Sequence, residues 1–256
     1  MATELIPFEP ARLFTVAKPL GMEGLTDREL GIDIPRLRLI HSIRSANDIG
    51  KPGQWKLNGQ LFDKVPLVVL KGHHFRTLME GDASRPRTVC ASFDGRTPLD
   101  TIVEPKSDAC PTCPYSQWHD GVGGKRIPPP CGDGLALLTL VLQAAEGSNI
   151  PVQPAWVLCS KSARQKALDL GKTLVDRGAS SFSDFVVEMG AEEQRNEGVV
   201  WWTPVFKLQE QTGHYRKIAE YVEENRLHYV PPVFAFSPAT DMTPAGNGPD
   251  PWDIPV

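Results

Sequence analysis

From Pro35 onward the chain alternates apolar and polar residues with a period of two. Arg36-Leu37-Arg38-Leu39 sets two cations on one face and two leucines on the other, the pattern of a half-buried strand. Gly50-Lys51-Pro52-Gly53 reads as a turn, after which Gln54-Trp55-Lys56-Leu57 alternates again. Residues 65–76 predict a long strand carrying Leu67, Val69 and Phe75, and 87–93 a short one. Further strands are predicted over 134–145, 152–160, 182–189 and 199–208. The period changes in between. Over 162–177 the apolar residues Ala167, Leu170 and Leu174 fall on one helical face, with Ser162 as N-cap and Gly178 as C-cap. A second short helix is predicted over 214–225.

Three stretches break the pattern. Residues 1–34 are rich in proline and glycine and read as an N-terminal arm. Residues 94–130 have almost no aliphatic periodicity and contain three successive prolines, Pro128 to Pro130; so long a coreless segment needs another source of order. Residues 229–256 hold seven prolines and few aliphatics, the composition of a disordered tail. The intervening body, 35–228, is expected to be mainly β with short helices (α+β). An OB-like barrel, with about five strands and a helix between the third and fourth, is the architecture it approaches, although the strand count is higher.

Composition supports the β reading: 24 prolines and 22 glycines in 256 residues favour short strands and turns over a helical bundle. The net charge of −4 excludes a uniformly basic nucleic-acid coat. The tail carries three Asp and no Lys or Arg, so removing its share from −4 leaves residues 1–228 near −1. A cationic surface must then be a local patch. No apolar run approaches the length that spans a bilayer, and the first residues lack the basic and long apolar regions of a signal peptide, so a cytoplasmic location is expected.

Five cysteines in such a chain point to reduced thiols or a metal rather than to disulfides. Cys110-Pro111-Thr112-Cys113 lets two sulfurs face one ion across a tight turn; Cys90 precedes it and Cys131 follows it, each near the end of a predicted strand. Four thiolates suit one structural zinc ion (Zn2+), which would order the insert at about 90–131. His119, His73 or His74 could replace one sulfur, most readily Cys90. A redox Cys-x-x-Cys lacks the βαβ surroundings it requires, and four unrelated buried thiols remain the plain alternative. Cys159, inside an apolar run, reads as core. A complete four-sulfur shell leaves no open coordination position for catalysis.

Single strands bind on aromatic platforms beside cations. The candidate aromatics are Trp55, Phe62, Phe75, Phe93, Trp118, Trp156, Trp201 and Trp202, and most aromatics of a β protein are core. The set singled out for nucleic acid is Arg36, Arg38, Lys51, Trp55, Lys56, Lys71, Phe75, Arg76, Arg87 and Trp202. Trp55, between Lys51 and Lys56, is the preferred stacking residue, and of adjacent Trp201 and Trp202 one is expected inside and one out.

The chain ends in Asp250-Pro251-Trp252-Asp253-Ile254-Pro255-Val256. Acidic and apolar residues on a flexible linker make a short ligand: Asp250 and Asp253 for a basic ridge, Trp252, Ile254, Pro255 and Val256 for a pocket. Asp253-Ile254-Pro255-Val256 resembles the acidic tip of bacterial single-stranded DNA-binding proteins, which ends in Asp-Ile-Pro-Phe. With its length and cysteine-rich insert, the body is more similar to phage-type single-stranded DNA-binding proteins. The resemblance implies a protein that coats transient single strands in replication or recombination. Its tip would recruit partner proteins, and its location would be the cytoplasm of a bacterial host. A zinc-stabilised adaptor making only protein contacts, and an RNA-binding protein, are the alternatives; a homo-oligomer is left open. No phosphate-binding loop, His-Glu-x-x-His, nucleophile elbow or dinucleotide fingerprint is present, so an enzyme is not expected.

Overall fold

A computed structural model describes residues 34–41, 50–80, 87–99, 105–142, 152–196, 198–213 and 215–224. The expected arm and acidic tail, including Asp250, Trp252 and the residues after it, lie outside these apart from Ile34, as does part of the insert.

The described residues are mainly β with two α-helices. Strands β1 (Arg38–Leu39), β2 (Trp55–Leu57) and β3 (Gln60–Phe62) form a small antiparallel sheet. The main sheet is built from β4 (Val65–Glu80), β5 (Arg87–Ser92), β8 (Cys131–Val141), β9 (Gln153–Ser160), β10 (Phe185–Asn196) and β11 (Val199–Gln211). Its path runs β11-β10-β4-β8-β9, with β5 also on β4. Between β5 and β8 a two-stranded ribbon, β6 (His119–Asp120) and β7 (Arg126–Ile127), stands apart. Helix α1 (Lys161–Asp176) connects β9 to β10, and α2 (Arg216–Glu224) follows β11.

β4 organises the molecule. One edge pairs with β8 along nearly its whole length; the other pairs with β10 near Leu67 and with β5 beyond Arg76. The apolar run Val65 to Leu70 suits a strand covered on both faces. A register shift between Val69 and Lys71 then exchanges the faces. Leu67 and Val69 therefore belong to one core cluster, whereas Phe75 joins Val68 and Leu70 in the other. Uninterrupted alternation from Val65 would instead group Phe75 with Leu67 and Val69.

The first cluster lies between the sheet, α1 and the small sheet. Leu170 and Leu174 of α1 meet Leu137, Val157, Val187 and Met189, with Trp55, Leu57 and Phe62 alongside. The second lies on the opposite face, where Ile218 and Val222 of α2 cluster with Val68 and Leu70 of β4 and with Leu138, Leu140 and Trp156. Among the described residues β9 and β11 end the sheet path and do not pair with each other. Chain from the small sheet extends the β9 edge: Leu37 donates its N–H to the Trp156 carbonyl, and Trp156 donates to the Pro35 carbonyl, both at 2.9 Å. On the other side Trp202 of β11 lies over Gly53. Gly53 has φ +88, and a Cβ there would meet the indole at 2.5 Å, so this turn requires glycine on both counts.

Helix α1 starts one residue before the expected position. Its N-cap is Ser160, in extended conformation, not Ser162. Gly178 ends it with φ +75, as expected. The start of α2 is held by Asp184, which is buried in the 3-10 turn Phe182–Asp184. Arg216 donates to Asp184 at 2.6 Å, while the Ser180 and Ser181 amides donate to its other oxygen at 2.8 and 3.0 Å. Burial pushes the Asp184 carboxyl up, but Arg216 and the serine donors outweigh it and hold it below the usual carboxylate range. No described helix is long and apolar enough to cross a membrane.

Candidate metal centre and nucleic-acid interface

Cys110 and Cys113 lie on a 3-10 turn, Cys110–Thr112, with Pro111 in its first turn. Proline suits that position because its missing N–H would have no partner there. The Cys113 N–H closes the turn on the Cys110 carbonyl at 3.2 Å, and the Cys110 N–H donates to the Arg96 carbonyl at 2.7 Å. Buried Ser116 completes the knuckle: its hydroxyl bonds the Cys110 carbonyl and lies 2.8 Å from that of Cys113. The preceding bend is locked by Asp94, which accepts from the Arg96 and Thr97 amides at 2.7 Å each and from the Ser92 hydroxyl at 2.9 Å. Partial burial raises the Asp94 carboxyl, but those donors outweigh it and bring it to about 2.

The knuckle folds over the end of the main sheet, where Cys90 lies on β5 and Cys131 opens β8. All four cysteines line one cavity of about 10 Å³, with Leu78, Pro98, Lys106, Ser107, Tyr115 and Ser116. That volume suits a single small occupant, about one water in size. Burial pushes the Cys110 thiol up and the Cys131 thiol to about 11; the other sulfurs add to both shifts and the Arg76 guanidinium works against them. Arg76 Nε is itself buried without a hydrogen-bond partner. Four sulfurs, a cavity of atomic size and a nearby cation that favours thiolates fit the donor set of a thiophilic tetrahedral ion. The cage is not closed as the side chains stand: among the described residues no group of three or more His, Cys, Asp or Glu meets in metal-holding geometry. Of the histidines considered as substitutes, His74 is engaged elsewhere, bonded to Asp133. Cys159 is fully buried away from the cavity in the first core cluster, its thiol pushed by burial to about 12.

Next to the thiols the same sheet face turns charged. His74 and Arg164 Nε both reach Asp133, the latter at 3.5 Å, and Arg76 stands opposite Asp133 in the β4–β8 register. Sequence reasoning missed Asp133 and Arg164. The available signal was Asp133 two residues after Cys131, hence on the same side of a strand.

The expected nucleic-acid residues separate into three groups. Arg38 and Lys56 are exposed and directly opposite each other in the β1–β2 pair, with Lys51 exposed at the adjoining turn. Like charges facing each other across a strand pair repel, so an anion between them relieves a standing cost. Trp55 and Phe75 are 3% and 5% exposed in the two core clusters, so neither ring has a free face for a base. The alternation that set Lys56 outward also turned Trp55 inward. Arg36 is largely enclosed, and burial, with Arg38 beside it, lowers its guanidinium to about 10. Lys71 is paired with Glu223 of α2, and Arg76 lies beside the thiols. Trp201 and Trp202 are both half-buried, where one inside and one outside were expected. Arg87 lies on β5. Comparison of the chain with known protein families, with curated proteins and with solved structures finds no match.

Proposed function

We propose that this protein binds single-stranded DNA on an OB-type body, with a zinc ion held by Cys90, Cys110, Cys113 and Cys131 ordering the insert. The single observation that carries the reading is the connectivity. Five strands, β4, β8, β9, β10 and β11, lie in the order β11-β10-β4-β8-β9, with a helix between the third and fourth along the chain. An open, twisted version of a five-stranded Greek-key barrel has that arrangement, and its first strand pairs with both the second and the fourth, as β4 does with β8 and β10. The thiol cavity then sits in the connection between the first and second strands, one of the loops through which such barrels contact oligonucleotides. The exposed Arg38, Lys51 and Lys56 supply phosphate contacts. Bound by the four sulfurs, zinc would supply a cross-link rather than catalysis. The acidic tip at Asp250 to Val256 would engage replication or recombination proteins.

The test is fluorescence anisotropy with labelled oligo-dT, matched RNA and matched duplex at two salt concentrations. Tight, salt-sensitive binding to oligo-dT with weak duplex binding is the expected result. Equal or absent binding to all three overturns the reading, and preference for the RNA transfers it to the other nucleic acid.

A further inference from the structure

In an OB-type body the outer face of the second and third strands is a main binding surface. Here that face is closed: Leu138, Leu140 and Trp156 are each no more than 1% exposed, in one buried cluster with Ile218 and Val222 of α2. The aromatic rings left in solvent lie elsewhere. The large apolar residues that are clearly exposed among those described are Tyr115, Trp118, Ile127, Val175, Phe182 and Val200. Three of the six are on the cysteine insert, between the knuckle and β7.

Each of the two insert aromatics has a cation over its ring. The Arg126 guanidinium lies 5.3 Å from the centre of the Trp118 ring, and Lys106 Nζ lies 6.0 Å from that of Tyr115. Trp118 is 45% exposed and immediately precedes β6, while Arg126 opens β7. The ribbon tip between them contains Gly123 and Gly124, with φ +74 and +76 and nothing within 4 Å of a Cβ at either. Lys125 next to them is exposed. A bare glycine tip allows close approach of another backbone, and stacked bases need flat rings flanked by positive charge.

We infer that Trp118 and Tyr115 on the cysteine insert form the base-stacking platform of the protein, with Arg126 and Lys125 on the adjoining phosphates. This rests on the single-strand reading above and places its aromatic contacts on the insert instead of at Trp55. The ligand is a short run of unpaired nucleotides, taken with little sequence preference because every base has a π-face. Because the knuckle positions both rings, order in the thiol cluster sets the geometry of the platform.

The experiment uses the full chain and oligo-dT. Oligo-dT should quench part of the tryptophan fluorescence of the wild type. Trp118→Ala should bind roughly 5- to 150-fold more weakly, the range expected for loss of one stacked base. Trp118→Phe should keep most of the affinity and lose most of the quench, a result that a merely structural role would not give. Since Trp118 is substantially exposed, both variants are expected to fold, and an unchanged melting curve checks this. Wild type that fails to bind oligo-dT sinks the single-strand reading and the platform together. Wild type that binds, beside a folded Trp118→Ala that binds equally well, sinks the platform alone.

Discussion

Cys90 and Cys131 share one cross-strand partner, Leu78, which pairs with Cys90 on β5 and with Cys131 on β8. Their backbones therefore lie about two strand spacings apart, roughly 9–10 Å. A tetrahedral zinc ion with Zn–S bonds of about 2.3 Å requires the strand ends to draw together over Leu78 beneath the knuckle. Purified without chelator, the protein should carry about one zinc per chain. Cys113→Ser should lower that content and loosen amide protection across the insert, read by metal analysis and hydrogen exchange. A metal-free wild type with a protected insert would return the four cysteines to ordinary buried thiols.

The facing pair Arg38 and Lys56 yields a salt-dependence prediction. If phosphate sits between them, Arg38→Ala and Lys56→Ala should each weaken oligo-dT binding and each reduce the slope of log affinity against log salt by about one. Neither side chain is buried, so stability should hardly change. Slopes equal to that of the wild type would make the pair a solvated face.

Asp184 ties α2 to the body, so its protonation should be felt in stability. Its folded pKa is depressed, so its contribution is present above the unfolded value of about 3.9 and is lost as pH falls below it. Asp184→Ala removes the turn-capping carboxylate and should cost about 1 kcal/mol at neutral pH, or about 2–4 °C in melting temperature. The gap between variant and wild type should narrow as the pH is taken from 7 to 3. A gap independent of pH would show that shape, not charge, is what Asp184 contributes.

Trp55 offers a contrast between stability and binding. Buried among Leu57, Phe62 and the β10 residues, it should cost about 3–5 kcal/mol on replacement by alanine, seen as a lower denaturant midpoint. Affinity per folded molecule should stay the same. Unchanged stability with lost binding would restore Trp55 as a base contact.

Much of this fold is legible in the sequence, and the parts that are not have identifiable causes. β9 and α1 follow from their periodicities because each buries a single face. The sequence pattern predicts that β10 stops at Met189, since Glu192 to Asn196 are polar; it continues to Asn196 because β11 supplies a hydrogen-bonding partner, which local composition does not record. The bulge in β4 is likewise invisible to alternation, although it decides that His74, Arg76 and Leu78, not Phe75, share a side with Leu67. The convergence of four cysteines was readable from spacing. The exposed Trp118 is not separable from seven other candidate aromatics in the sequence, because exposure depends on which faces the folded chain covers.

The central position of β4 also has a consequence in time. During synthesis its sixteen residues are the first of the main sheet to emerge, β8 follows only after the whole insert, and β10 begins about a hundred residues after β4 ends. At roughly 5–20 residues per second, one edge of an apolar strand waits about 5–20 seconds for its permanent neighbour. The nascent chain is thus most vulnerable to intermolecular pairing at Val65 to Leu70. An agent that folds the insert early delivers β8 to the other edge of β4 sooner, and so protects the yield of the protein rather than its final stability.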